Sequence, residues 1–151
     1  MNVISCKIRN NKITFDTLEE MYNYNKFDEI DEIDCSENDE ITEIKKLPKN
    51  LKSLNCSECT ELTSIPKLPK TLENLGLMET QIDEIESFPE TLKNVDLCSL
   101  VKIPKLPLHI ENINSFSINE MIYKFEEFYK DPILREPFLD LLLRRVQAGI
   151  I

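Results

Sequence analysis

The chain has almost no glycine: Gly76 and Gly149 are the two in 151 residues. Tight turns with positive φ favour glycine, which has no Cβ to clash, so few such turns are expected. A glycine-rich phosphate loop is excluded by the same count. His109 is the single histidine. With no serine or cysteine nucleophile motif near it, no catalytic triad assembles. Cations are the minority charge, 18 against 28 acids, for a formal net charge of −10. The average field repels a phosphate backbone, so nucleic acid is not an expected partner. No run of 18 apolar residues exists, so no transmembrane helix and no membrane partner are expected. The first ten residues, Met1 to Asn10, lack a basic region followed by an apolar core, and no signal peptide is expected. Five cysteines form an odd count without framework spacing. They point to reduced thiols and an intracellular, cytoplasmic setting.

What the chain does have is proline, eight residues mostly in Ile-Pro, Leu-Pro and Phe-Pro pairs. The stretch Leu51 to Lys70 carries apolar residues at Leu51, Leu54, Cys56, Leu62, Ile65 and Leu68. That spacing fits neither a helix nor a long strand. Shifted back by 21 residues, it falls on Ile30, Ile33, Cys35, Ile41, Ile44 and Leu47. Shifted forward, it meets Leu72, Leu75, Leu77, Ile82, Ile85 and Phe88, the later half offset by 20. A fourth copy holds Leu92, Val95, Leu97, Ile103 and Leu106, and a fifth starts at Ile110 and Ile113 and decays after Phe116.

Residues 54–62, Leu-Asn-Cys-Ser-Glu-Cys-Thr-Glu-Leu, fill a Leu-x-Leu-x-x-Asn-x-Leu pattern with Cys at two of its core positions. With the proline spacers, residues 28–116 resemble the leucine-rich repeat family. The closest likeness is to its short Leu-Pro-type repeats, found in bacterial effectors and giant DNA viruses. The resemblance implies an α+β repeat solenoid, with a short parallel β-sheet on the concave side, extended return segments on the convex side and helical caps at both ends. Some bacterial effectors of this family add a ubiquitin-ligase domain with a Cys-x-Asp motif. No Cys-x-Asp occurs here, so that activity is not carried over.

The residues support the same division. An extended backbone is favoured at Ile65-Pro66 and Leu68-Pro69, since proline restricts its own φ and the residue before it. Residues 1–27 read as an N-terminal cap: a strand or hairpin over Val3 to Phe15, then a helix over Leu18 to Asn25. Asp16 or Thr17 caps that helix, and Thr17 with Glu20 has capping-box spacing. Residues 117–151 read as a C-terminal helical cap. Ile118, Met121, Ile122, Phe125, Phe128 and Tyr129 form one helical stripe. Asp131 caps a last helix over Pro132 to Gln147, with Pro137 kinking or splitting it and Gly149 ending it.

Cys56-x-x-Cys59 suggests a metal or redox site, but it lacks a second cysteine pair. Cys56 also fills the inward slot of Cys35 and Leu77, so it reads as core. No metal and no cofactor are expected. Cys98 reads as outward-facing, and an enzymatic role rests on that thiol alone.

Strand alternation places outward residues in columns: Glu32, Ser53, Asn74, Asn94, Asn112; then Asp34, Asn55, Gly76, Asp96, Asn114; then Ser36, Ser57, Met78, Cys98, Phe116. A fourth column, Glu37, Glu58, Glu79 and Ser99, is an acidic ladder that a basic partner would relieve. The sequence therefore reads as a non-catalytic protein-protein interaction module. It binds a basic or partly apolar partner through Asp34, Glu37, Asn55, Glu58, Met78, Glu79, Asp96 and Phe116. The alternative is a structural component of a larger assembly, virion- or capsid-associated, in which residues 131–151 dock a partner or a second copy.

Overall fold

Ile4, Cys6 and Ile8 alternate with polar residues, as do Ile13 and Phe15, and each set forms a strand. In the computed structural model, residues 3–96, 100, 102–114, 116–123 and 130–151 are described. The strands are β1 (Ile4–Ile8), β2 (Asn11–Phe15), β3 (Glu32–Asp34), β4 (Ser53–Asn55), β5 (Asn74–Gly76), β6 (Asn94–Val95), β7 (Asn112–Ile113) and β8 (Phe116–Ser117). They form one eight-stranded sheet in the order β2-β1-β3-β4-β5-β6-β7-β8. β3 to β7 are parallel neighbours. β1 is antiparallel to both β2 and β3, and β8 is antiparallel to β7.

The expected α+β repeat solenoid, with its parallel sheet and a helical cap at each end, is overturned by this topology. The sheet is single and mixed. At the N-terminal end it continues into the β1–β2 hairpin, because Cys6 pairs with Ile33 and carries the apolar row one strand further. At the other end the chain reverses at Asn114, with φ of 49°, and β8 pairs back on β7. Asparagine tolerates that left-handed conformation better than most residues.

The buried side of the sheet follows the apolar spacing. Ile33, Leu54, Leu75, Val95 and Ile113 are register partners and all are buried. Each such side chain contributes roughly 1.5–3 kcal/mol by leaving water. Cys35, Cys56 and Leu77, two residues further on in each copy, are buried beside them. Among the described residues from 30 to 113 there is no helix.

Helix α1 (Leu18–Tyr22) is shorter than expected. Thr17 Oγ1 accepts from the N–H of Glu20 at 3.2 Å, while Glu20 Oε2 accepts from Asp16 rather than from Thr17. Helix α2 spans Ile118–Tyr123. The expected continuation through Phe125, Phe128 and Tyr129 lies outside the described residues. Helix α3 runs Arg135–Gln147, starting later than Pro132. Asp131 Oδ1 accepts from Ile133 and Leu134, and Pro137 falls in the first turn. The first-turn amides have no intrahelical acceptor, so Pro137 neither kinks nor splits the helix. Gly149, at φ 68°, and Ile150 donate to Val146 and Arg145, a Schellman end.

Two arginines fix α3 to the preceding chain. Arg144 donates to Leu106 O at 2.7 Å, and Arg145 donates to Leu108 O at 2.9 Å and to Ile110 O. Arg145 is buried, and desolvation lowers its pKa.

Candidate functional site

The face of the sheet opposite the core is polar. Parallel register sets Asp34 beside Asn55 and Asn55 beside Gly76, and the N–H of Asp96 donates to Leu75 O at 2.9 Å, which brings Asp96 next to Gly76. Asp34, Asn55 and Asp96 thus share one row. Asp34 Oδ1 accepts from Ser36 N at 3.2 Å, Ser36 Oγ at 2.7 Å and Asn55 Nδ2 at 3.1 Å. Much of its carboxylate is committed to shaping the turn, which the spacing alone does not reveal.

The neighbouring row contains an asparagine ladder. Asn112 Nδ2 donates to Asn94 Oδ1 at 2.5 Å, and Asn94 Nδ2 donates to Asn74 Oδ1 at 2.6 Å. Carboxamides suit this arrangement because each offers a donor and an acceptor to rungs about 4.8 Å apart. The three asparagines recur at copy-to-copy offsets in the sequence, and that recurrence is the signal for the ladder.

Between these rows lies a trough of about 400 Å³, lined by Ser53, Asn55, Asn74, Gly76, Asn94 and Asp96 among others. Gly76 is needed there for space. A Cβ at this position would lie 2.7 Å from Asn55 Oδ1 and 2.9 Å from Ser57 Oγ. The Asn55 carboxamide occupies that space and accepts from the Ser57 N–H at 3.1 Å.

Glu37, Glu58 and Glu79 lie at the ends of three adjacent rungs. The N–H of Glu37 donates to Ser57 O at 2.9 Å, and the N–H of Glu58 donates to Met78 O at 2.7 Å. All three are exposed and hold positive φ, 59°, 62° and 56°. The scarcity of glycine therefore does not mean a lack of left-handed turns: Arg9, Asn114 and these three glutamates occupy them. A non-glycine residue there costs roughly 1–2 kcal/mol.

The expected outward column Ser36, Ser57, Met78, Cys98, Phe116 does not continue to Phe116. Met78 is exposed beside Glu79. Cys98 lies outside the described residues, as do the neighbouring Leu97 and Ser99. Phe116 lies in β8, across from Ile113 in an antiparallel pair. It is not a further rung below Met78, because the chain has already reversed at Asn114.

Cys56 and Cys59 are fully buried with Cys35. Cys35 Sγ lies 3.4 Å from Cys56 Sγ, and Cys59 Sγ lies 2.9 Å from Cys35 O. The Cys56 thiol raises the pKa of Cys35 and the Cys35 thiol raises that of Cys59, and burial adds to both. Neutral thiols in such surroundings pack as small hydrophobes. Among the described residues no cluster of His, Cys, Asp or Glu is arranged to hold a metal ion, and no helix is long and apolar enough to cross a membrane.

Comparison with protein-family models, curated proteins and solved structures finds no match for this chain.

Proposed function

We propose that this protein is a non-catalytic binding module that holds a basic protein segment against the polar face of its sheet. The observation that carries the reading is the placement of Glu37, Glu58 and Glu79. Three successive rungs put a glutamate where glycine or asparagine would be easier on the backbone. Strain retained at corresponding positions is accounted for when the side chain does something that glycine cannot. Three exposed glutamates at the ends of adjacent rungs give this edge a negative character that a basic partner complements. The resemblance of residues 28–116 to leucine-rich repeats favours binding over catalysis, and the described cysteines, which form no disulfide among themselves, suit an intracellular setting. Amide NMR shifts on titration with a lysine- and arginine-rich peptide test this. The changes are expected to cluster at residues 34–37, 55–58, 76–79 and 96. Changes confined to the helical end would count against it.

A second reading is favoured by α3, whose Leu143 and Val146 are each 58% exposed and continue into exposed Ile150 and Ile151. Apolar surface of this kind suits docking into a larger assembly, as a virion-associated component or with a second copy. Light scattering on the full chain separates the two readings. A Leu143→Lys/Val146→Lys variant that converts an oligomer into a monomer supports assembly, and a wild-type monomer at high concentration removes it.

A further inference from the structure

The sheet ends on one side at β2, which pairs with β1 and with no strand beyond it. A two-residue turn, Arg9 and Asn10, joins β1 to β2, and Ile8 is the register partner of Asn11. The pair that closes such a turn exchanges its main-chain hydrogen bonds, and the following pairs alternate between bonded and unbonded. Ile8/Asn11, Cys6/Ile13 and Ile4/Phe15 are the bonded pairs. Lys7 and Ser5 direct their main-chain groups the other way, and Lys7 O accepts from the N–H of Asp31 at 3.0 Å on the β3 side. Their register partners, Lys12 and Thr14, by the same alternation direct N–H and C=O out of the sheet. Both residues are exposed, and no further hydrogen bond of either occurs among the described residues.

The side chains of β2 alternate too. Ile13 and Phe15 are half-buried, and Ile13 extends the row of Cys6 and Ile33, while Lys12 and Thr14 lie on the other face. The hairpin is also a basic island: residues 1–15 hold Lys7, Arg9 and Lys12 and no acid, in a chain of net charge −10. Lys7 is paired with Glu32, whereas Lys12 and Arg9 have no ion pair among the described residues. We propose that the β2 edge takes up an acidic, extended segment of a partner protein as an added strand. Lys12 and Thr14 supply the main-chain hydrogen bonds, and the alternating side chains supply the selection. A carboxylate is favoured opposite Lys12, and an apolar side chain opposite Ile13 or Phe15. A second copy of this chain fits less well, since lysine on an edge strand guards against self-pairing and two chains of this net charge repel. A short acidic segment meets the local charge of the hairpin, because exposed charges beyond about 10 Å are screened at 0.1 M salt. This surface is separate from the row at Glu37, Glu58 and Glu79, and the inference does not depend on that row.

The probes are a short peptide alternating glutamate and valine, the same peptide with lysine in place of glutamate, and two glutamate peptides N-methylated on one or the other alternate set of amides. Affinities are measured by anisotropy for the wild type, Lys12→Glu and Thr14→Pro, and amide hydrogen exchange is followed by NMR. Proline suits an edge strand where its missing N–H faced solvent. The glutamate peptide is expected to bind the wild type and to slow exchange of the Lys12 and Thr14 N–H groups, with Ile13, already bonded to β1, little changed. Lys12→Glu is expected to weaken binding about fivefold or more, and Thr14→Pro to weaken it as well. One methylated peptide is expected to lose binding and the other to keep it, a result that needs no protein variant. Equal binding of the glutamate and lysine peptides overturns the proposal, as does equal binding of the two methylated peptides. Slowed exchange at Lys12 and Thr14 that grows with protein concentration in the absence of peptide also overturns it, by assigning the edge to a second copy.

Discussion

The backbone N–H of Glu58 donates to the carbonyl of Met78 at 2.7 Å while Glu58 itself holds a left-handed φ of 62°. The hydrogen bond locks one rung to the next at the point where the chain turns away from the sheet. Glutamate is a poor choice for that backbone, so its side chain and its conformation pull in opposite directions.

Glu58→Gly is expected to stabilise the protein. Relief of the left-handed penalty, roughly 1–2 kcal/mol, exceeds the extra unfolded-state freedom of glycine, roughly 0.5–1 kcal/mol. The net gain is about 0.5–1 kcal/mol, read as a higher urea midpoint with an unchanged m-value. The same change is expected to weaken binding of basic peptides. A lower urea midpoint would show that the side chain contributes more to folding than its exposure indicates.

Gly76→Ala is expected to destabilise, because the new Cβ meets Asn55 Oδ1 at 2.7 Å and displaces the carboxamide from Ser57 and Asp34. The cost is about 1–3 kcal/mol, as for other small-to-large changes in a filled space. In the double variant Asn55→Ala/Gly76→Ala the clash with Asn55 is gone and only the contact with Ser57 Oγ remains, so the two losses are expected to fall short of additivity by about 1 kcal/mol in a double-mutant cycle. Full additivity would place the strain elsewhere.

Arg145→Met is expected to cost about 3 kcal/mol, since it removes charge-assisted bonds to Leu108 O and Ile110 O and leaves both carbonyls short of a donor. Arg145→Lys is expected to recover less than half, because one ammonium does not reproduce the guanidinium fork. Thermal unfolding of both variants checks the order. Equal stability of wild type and Arg145→Met would contradict this pinning of α3.

Alkaline pH is expected to unfold the protein through its thiols. Burial, with a contribution from Asp34, pushes Cys6 up to about 12 from a starting value of 9.0. The folded state therefore keeps a proton that the unfolded state loses. Stability is full below pH 9 and falls as pH rises from 9 to 12, because the unfolded chain binds fewer protons there. Cys6 alone contributes a slope of about 1.4 kcal/mol per pH unit. Cys6→Ala is expected to lower the steepness of the alkaline limb by that amount in urea titrations, and an unchanged limb would show that Cys6 ionises freely in the folded protein.

The buried side of each strand was legible in the sequence because one rule decides it. Ile33, Leu54, Leu75, Val95 and Ile113 recur at offsets of 18–21 residues, and a buried row requires apolar residues at matched positions. The ends of the sheet were not legible. Nothing local to Ile4, Cys6 and Ile8 states that β1 pairs with β3 antiparallel, and Phe116 continues the apolar pattern although the chain has turned back. In the candidate site, the rows of Asp34, Asn55 and Asp96 followed from alternation. The left-handed backbone at Glu37, Glu58 and Glu79 did not, because composition counts glycines and says nothing about which other residues take such turns. Arg144 and Arg145 read locally as surface charges, and their acceptors lie 35–38 residues back in the chain.

We propose that the row of Glu37, Glu58 and Glu79 attracts a basic partner. The most direct measurement is the affinity of one lysine- and arginine-rich peptide for the wild type and for Glu37→Lys/Glu58→Lys/Glu79→Lys, at about 50 and 200 mM salt. Exposed charges within a Debye length of roughly 10 Å interact strongly at the lower salt and weakly at the higher. Wild-type binding is expected to weaken with salt, and the variant to bind at least about tenfold more weakly at low salt, without the salt-induced weakening of the wild type. Equal affinities for the two proteins at low salt would contradict it.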